Sequence, residues 1–558
     1  LEMRANAVVA PILILAGCSS LGGVPAGPGG EAPSTPASPR TRAELTQYRE
    51  TSSHADVVAF LDGLQKLGAP MWTGVMGRTT EGREIPYVIA SRPLVATPIQ
   101  ARRLGRPVVY VQANIHGGEV EGKEALQALL RDLLMAPGPN VLDSIVLVAV
   151  PIYNADGNDA WGPQARNRGS QQGPERIGQR PNGQGLDLNR DYIKAEAPET
   201  RATLALIDAW DPDVFVDLHT TNGSLHGYAL TYAPSLVPNA LPVTDWTRDS
   251  LLPELRRRVR DRHGFETFDY GNFSSQDTTR RTWATYDHRP RFGTNYYGLR
   301  GRIGILSEAY SHDPFERRVA STRAFVAELL SLIAERGGRI LAGSRMADEV
   351  TTAMGIGSST ARGVPLRAVL TRTPYTGEVL VEDVERRAGD TTVYEIGMPR
   401  GARRTGNIRA VRMPVADRFD ATLSERLPFG WAVPAVDTQA VARLRLHGVQ
   451  VERLTAPWSA DVERFRIDSM VVAAREFQGH HEVRLEGEWS RERTELPAGT
   501  FIVQSAQPLG VLAFWLLDPR SDDGLLTWNV FRGSLAEGAP FPVVRVVQPL
   551  TAPRRLEP

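Results

Sequence analysis

The chain has 558 residues, with 64 basic and 64 acidic side chains, 42% hydrophobic residues and one cysteine. That length holds two or three domains, and the hydrophobic share is that of a packed globular protein. A formal net charge of zero argues against a nucleic-acid partner, and a single cysteine excludes an intramolecular disulfide, so stability rests on packed cores.

At the N-terminus Arg4 precedes a mostly apolar run, Ala5–Leu15, too short to cross a membrane. Leu15-Ala16-Gly17-Cys18 then resembles the lipobox of a bacterial lipoprotein signal peptide; a plain secretory signal is the alternative. The resemblance implies a signal peptide over residues 1–18, with Cys18 lipidated. It also implies a chain anchored at the cell envelope on its periplasmic or extracellular face, with Ser19 favouring the outer membrane. Residues 19–40, rich in Gly, Pro, Ala and Ser, read as a flexible tether. The segment before Thr41 leaves no room for a folded pro-segment, so no zymogen is expected.

From Thr41 onward strands and helices alternate. Ala55–Leu67 is apolar at helical spacing, and Thr73–Arg78 with Glu84–Ala90 reads as a hairpin turned at Glu81-Gly82. Strands follow at Val108–Ala113, Ser144–Val150, Asp213–Leu218 and Arg302–Ser307, with helices at Gly122–Leu134, Glu196–Trp210 and Leu251–Arg262. Asp313-Pro314-Phe315-Glu316 reads as a capping box opening a helix that Gly337-Gly338 ends. The polar stretch Ala155–Gly185 has no clear periodicity, and loops of that length inside a domain are usually functional. This pattern predicts an α/β domain over residues 41–350, a mixed sheet flanked by helices.

Beyond it the texture changes. A helical stretch, Ile340–Met354, leads into short alternating segments at Glu378–Val384, Thr391–Ile396, Asn407–Met413, Glu482–Glu486 and Thr500–Gln504. Thr438–Leu446 reads as a helix, and Val511–Leu517 is apolar throughout. Residues 351–558 are therefore expected to form a β-rich C-terminal module, with His480-His481 a surface pair.

Asn114-Ile115-His116-Gly117-Gly118-Glu119 lies between a strand and a helix, where His116 and Glu119 can converge on one metal ion while the glycines keep bulk away. Ten histidines make about half a chance match to His-x-x-Glu in such a chain, and His263-Gly264-Phe265-Glu266 is such a match, read as a helix end running into a strand. Position separates the two. His219 ends the strand Asp213–Leu218 and Glu308 ends Arg302–Ser307, and ligands of open α/β sheets gather at the carboxyl ends of strands. Two imidazoles and a carboxylate make a three-ligand zinc site with an open position. Glu308 would take a proton from water and pass it to a leaving amine. Arg166 and Arg168 are candidates to steady an oxyanion, and Asn189-Arg190 to grip a carboxylate.

These residues resemble the zinc carboxypeptidases of the M14 metallopeptidase group: His-x-x-Glu at 116–119, Asn189-Arg190, His219 after an apolar strand, and a late Glu308. The resemblance spans about Thr41–Gly338 and implies a fold of the α/β/α type holding one zinc ion, with His116, Glu119 and His219 as ligands. It implies peptide-bond hydrolysis at a free C-terminal carboxylate held by Asn189 and Arg190, with Glu308 as general base. Arg168 maps to the oxyanion arginine, with Arg166 second, and the mobile tyrosine has Tyr286, Tyr296 and Tyr297 as candidates. Val120, Thr220 and the surroundings of Glu308 depart from the family pattern and bear on the substrate pocket. A deacylase of N-acyl amino acids and a peptidase of peptidoglycan stem peptides are the alternative activities.

Overall fold

The apolar runs of the first half pair into one eight-stranded sheet. In a computed structural model describing residues 38–238, 242–274, 281–357, 363–386, 389–392, 400–531 and 535–557, its strands are β1 (Met71–Arg78), β2 (Glu84–Ala90), β3 (Val108–Ala113), β4 (Val146–Val150), β5 (Val214–Thr220), β6 (Leu230–Pro234), β7 (Thr267–Asp269) and β8 (Ile303–Ala309). The Cys18 lipobox, the tether as far as Ala37 and most of the expected strand Thr391–Ile396 lie outside the described residues. The strand order is β1-β2-β4-β3-β5-β8-β6-β7. The central β4, β3, β5 and β8 run parallel, β1 and β2 pair antiparallel with their neighbours, and β6 pairs antiparallel with β8 and parallel with β7. Strands buried on both faces need continuous apolar sequence, which is why these runs show little alternation.

Each face has its own core. Val109, Val111, Val214, Val216, Ile303 and Ile305 pack against helices His54–Lys66, Glu121–Met135, Leu252–His263 and Phe315–Glu335. Tyr110, Val148 and Phe215 point the other way, into a cluster with helix Pro198–Trp210 and with Trp431, Phe465, Phe514, Trp515 and Trp528 of the C-terminal half. One hydrophobic cluster thus runs through both halves, and Ser38–Pro558 is a single compact unit.

The C-terminal half is β-rich. Its seven-stranded antiparallel sheet runs Val483–Leu496, Trp458–Val472, Val544–Val546, Gly430–Val433, Phe501–Gln504, Glu452–Leu454, Arg554–Leu556. A smaller sheet joins the halves: Trp283–Ala284 pairs with the long strand Ala402–Ala416. The apolar run at Val511–Leu517 belongs to a wholly buried helix, Gly510–Leu517.

Two local expectations change. Helix Phe315–Glu335 has no side-chain cap, because the Asp313 carboxylate accepts from Arg317 Nε (2.9 Å) instead of the helix backbone. Gly337 ends that helix by opening a second one, Gly337–Gly355, rather than a loop. Among the described residues no helix is long and apolar enough to cross a membrane.

Candidate active site

The turn after β3 is shaped by Asn114 and Gly117. Asn114 adopts a left-handed φ of 64°, which asparagine tolerates, and its amide donates to the carbonyls of His116, Gly117 and Glu119. A Cβ on Gly117 would meet the Gly157 carbonyl carbon at 2.1 Å. Gly117 therefore serves close backbone packing rather than an unusual dihedral angle. Helix Glu121–Met135 follows directly and fixes the direction of the turn.

On β5 the period of two sends Val216 and Leu218 into one core and Asp217 and His219 to the opposite face. The result is a triangle of donors. His116 Nδ1 lies 3.0 Å from Glu119 Oε1 and 3.3 Å from His219 Nδ1, which lies 3.0 Å from Glu119 Oε2. A tetrahedral ion with bonds of about 2.0–2.1 Å separates its ligands by about 3.3 Å, so the set fits one zinc ion. The outward nitrogens are also held: His116 Nε2 is 3.1 Å from Asp187 Oδ1, and His219 Nε2 is 3.0 Å from Asp217 Oδ2. Carboxylates behind both imidazoles turn both Nδ1 atoms inward.

Charge is concentrated here. Burial opposes the ionised form of Glu119, yet His116, Arg168 and His219 hold its carboxyl well below the usual range. Burial likewise opposes protonation of His219, but Asp217 and Glu119 hold it well above the usual imidazole value. Glu308 stands beside this set, 8% exposed, with Oε2 buried and without a hydrogen-bond partner among the described residues. Burial pushes its carboxyl up to about 8, the charge of Glu119 adding to the rise against the pull of His219 and two arginines.

A cavity of about 110 Å³ gathers His116, Glu119, His219 and Glu308 with Arg180, Asn189, Arg190 and Tyr286. Asn189 Oδ1 accepts from Gly293 N (2.9 Å), which fixes its amide plane. The Arg190 guanidinium stacks 4.1 Å above the Phe292 ring, and its Nη1 donates to Asn189 O (2.7 Å).

Other sequence candidates fall elsewhere. Arg168 does not line the cavity: its Nη1 donates to Glu119 Oε1 (2.7 Å), and its Nη2 to the carbonyls of Thr220 (2.5 Å) and Thr221 (2.6 Å). Arg166 is exposed and bonded to Asn167 Oδ1. Tyr296 is wholly buried, its hydroxyl 2.9 Å from His447 Nδ1, and Tyr297 donates to Pro212 O. His263 lies 2.9 Å from Glu328 Oε1 at a helix end capped by Gly264, a structural pairing. Of the pair His480-His481, His481 is exposed, whereas His480 is half-buried between Glu196 and Trp528.

Several site residues escaped the sequence reading. Arg180 lines the cavity and donates through Nε and Nη2 to Asp187 Oδ2 (3.0 and 2.9 Å), with Nη1 3.5 Å from Glu119 Oε1. Nothing in the polar loop marks it out. Asp217 was legible, standing two residues before His219 on a strand, as was Asp187 two before Asn189. Tyr270, whose hydroxyl accepts from Asn222 and Asn272, is brought in by the loop after β7, and Thr294 by helix Gly293–Leu299.

Residues 57–296 match the zinc carboxypeptidase profile of the M14 peptidases, a span that takes in the donor triangle and Asn189-Arg190 and ends before Glu308. Carboxypeptidase 2 of Trichophyton tonsurans is 23% identical over 496 residues, covering 84% of this chain and 81% of its own length. Carboxypeptidase 2 of Trichophyton rubrum is 21% identical over 496 residues, covering 84% and 81%. Coverage of that extent takes in part of the C-terminal half as well. A metallo-carboxypeptidase from Pseudomonas aeruginosa superposes with a TM-score of 0.36 at 21% identity, over 52% of this chain and 68% of its own. Residues 57–296 thus match the zinc carboxypeptidases of the M14 peptidases, and the chain is similar over most of its length to carboxypeptidases of Trichophyton.

Proposed function

We propose that the chain is a zinc-dependent metallocarboxypeptidase that removes residues from the C-terminus of peptides. The observation that carries this reading is the shared wall: the donor triangle, Glu308 and the Asn189-Arg190 pair face one small cavity. His116, Glu119 and His219 would hold the ion, which when bound supplies Lewis acidity and lowers the pKa of a water molecule. Arg190 and the oriented amide of Asn189 would grip the terminal carboxylate, a planar anion suited to a guanidinium fork. Glu308, buried and unpartnered at Oε2, would accept the proton of the attacking water and return it to the leaving amine. Arg180 would face the developing oxyanion, since it lines the cavity and its Nη1 stands 3.5 Å from Glu119 Oε1, whereas Arg168 lies outside the cavity and spends its Nη2 on backbone carbonyls. A cavity of about 110 Å³, with Phe292 and Leu306 among its lining, suits the end of a chain rather than its middle.

The test is digestion of a mixed peptide library by the full chain with and without a chelator. Release of single C-terminal residues, lost on chelation and restored by zinc, is expected. Cleavage confined to N-acyl amino acids, or to stem peptides of peptidoglycan, would move the assignment to those substrates. Attachment through a lipid on Cys18 is a separate proposal resting on the lipobox alone. Incorporation of labelled palmitate that survives Cys18→Ser would overturn it.

A further inference from the structure

The long antiparallel strands Trp458–Val472 and Val483–Leu496 of the C-terminal half are joined by a segment that reaches Asp187, behind the metal-ligand candidate His116. Its tip is a two-residue turn: Phe477 N donates to His480 O (2.7 Å) and His480 N to Phe477 O (3.1 Å), with Gln478 and Gly479 at φ of 52° and 81°. Two successive positive φ angles make a turn that strongly prefers asparagine or glycine at its first position. Glutamine there is strained, and residues held in strain are often held for a purpose.

The contact it makes supplies the purpose. Gln478 Oε1 accepts the backbone N–H of Asp187 at 2.8 Å. Asp187 Oδ1 is 3.1 Å from His116 Nε2 and accepts from Asn189 N (3.0 Å), while Oδ2 accepts both donors of Arg180. One aspartate therefore sets a metal ligand, a carboxylate-binding residue and the cavity arginine. The turn itself is clamped on its far side, where His480 Nε2 lies 3.0 Å from Glu196 Oε2 and Glu482 Oε1 lies 2.5 Å from Arg291 Nη1.

We infer that Gln478 is a positioning residue of the active site, supplied by the C-terminal half, which fixes Asp187 and through it His116 and Asn189. The inference rests on the metal reading proposed above. Glycine and asparagine suit the turn better than glutamine, but one lacks the side chain and the other is a methylene too short to reach Asp187. Q478G and Q478N therefore separate the stability of the turn from the contact.

Zinc affinity of the full chain is measured by competition with a chromogenic chelator, alongside thermal unfolding and the KM of a blocked dipeptide. Q478G and Q478N should unfold no earlier than the parent, yet bind zinc about tenfold more weakly, the lower end for partners behind a metal ligand. KM should rise through Asn189, and Q478E, which keeps an acceptor oxygen, should recover most of the affinity. Zinc affinity and KM within twofold of the parent in both Q478G and Q478N would overturn the inference and leave the metal site standing. A parent that binds no zinc would instead remove the metal reading itself.

Discussion

Glu308 of β8 lies directly opposite His219 of β5 in the parallel register of the sheet. Adjacent parallel strands therefore bring a general-base candidate and a metal-ligand candidate to the same level of the same face, with no loop between them. Glu308→Gln keeps the volume and removes the basic oxygen. Turnover should fall by about 10²–10⁴, the usual worth of a positioned general base, with zinc content unchanged by atomic absorption. Full activity with full zinc would remove Glu308 from the mechanism.

The carboxylate behind His219 stands on the same strand. Asp217→Ala frees that imidazole to rotate and to change tautomer, so zinc affinity should drop by about 10- to 100-fold. Chelator competition reads this directly, and an unchanged affinity would show that strand geometry alone orients the ring.

Two arginines approach Glu119 with different freedom. Arg168 spends its guanidinium on Glu119 and on two carbonyls, so Arg168→Ala should loosen Glu119 and lower metal occupancy. Arg180→Ala should keep metal and lower kcat by about 10²–10³, the cost of losing one oxyanion donor. Steady-state kinetics on metal-saturated variants separate the two, and the reverse assignment follows if Arg168→Ala alone lowers kcat at full occupancy.

The pH response of the metal-free protein has a definite sign. Burial raises the Glu308 carboxyl from 4.5 to about 8, so its contribution to stability is complete below about pH 4.5 and is lost as pH rises through 8. After chelation, the melting temperature of the parent should fall across this window relative to that of Glu308→Gln. A cation nearby favours the carboxylate, so zinc uptake near pH 7 should release a proton that Glu308→Gln does not, read by calorimetry in buffers of different ionisation enthalpy.

Arg291 ties the halves together just before the cavity wall at Phe292 and Thr294. It is 2% exposed, pairs with the buried Asp523 through Nη2 (3.0 Å), and its backbone N–H donates to the same carboxylate (2.7 Å). Removing one partner of such a pair leaves an uncompensated charge, so Arg291→Ala should cost about 3–5 kcal/mol in urea unfolding. A cost below about 1 kcal/mol would mean that the surrounding aromatic core carries the junction alone.

What the sequence made legible follows from locality. His116 and Glu119 share one turn, and His219 and Glu308 end apolar strands, so strand polarity was enough to bring them to one edge. The arginines could not be told apart in the sequence because Arg166, Arg168 and Arg180 share a loop without periodicity. Only its folded path shows that Arg168 Nη2 donates to the Thr220 and Thr221 carbonyls while Arg180 reaches the cavity. Tyr296 was misplaced because a helix, Gly293–Leu299, turns it away from Tyr286 and into the core. Gln478 was beyond reach, since 291 residues separate it from its partner Asp187.

Those separations also set an order of assembly. A chain made from its N-terminus presents His116 and Glu119 together, His219 only 103 residues after His116, Glu308 later, and Gln478 later still. An early two-ligand fragment has no completed triangle and no outer partner from the C-terminal half. On the proposed metal reading, capture with full affinity would be a late event in the life of the chain, and a nascent chain halted before His219 should exchange zinc freely. A metal centre completed in this way would report that folding has reached the far end of the molecule.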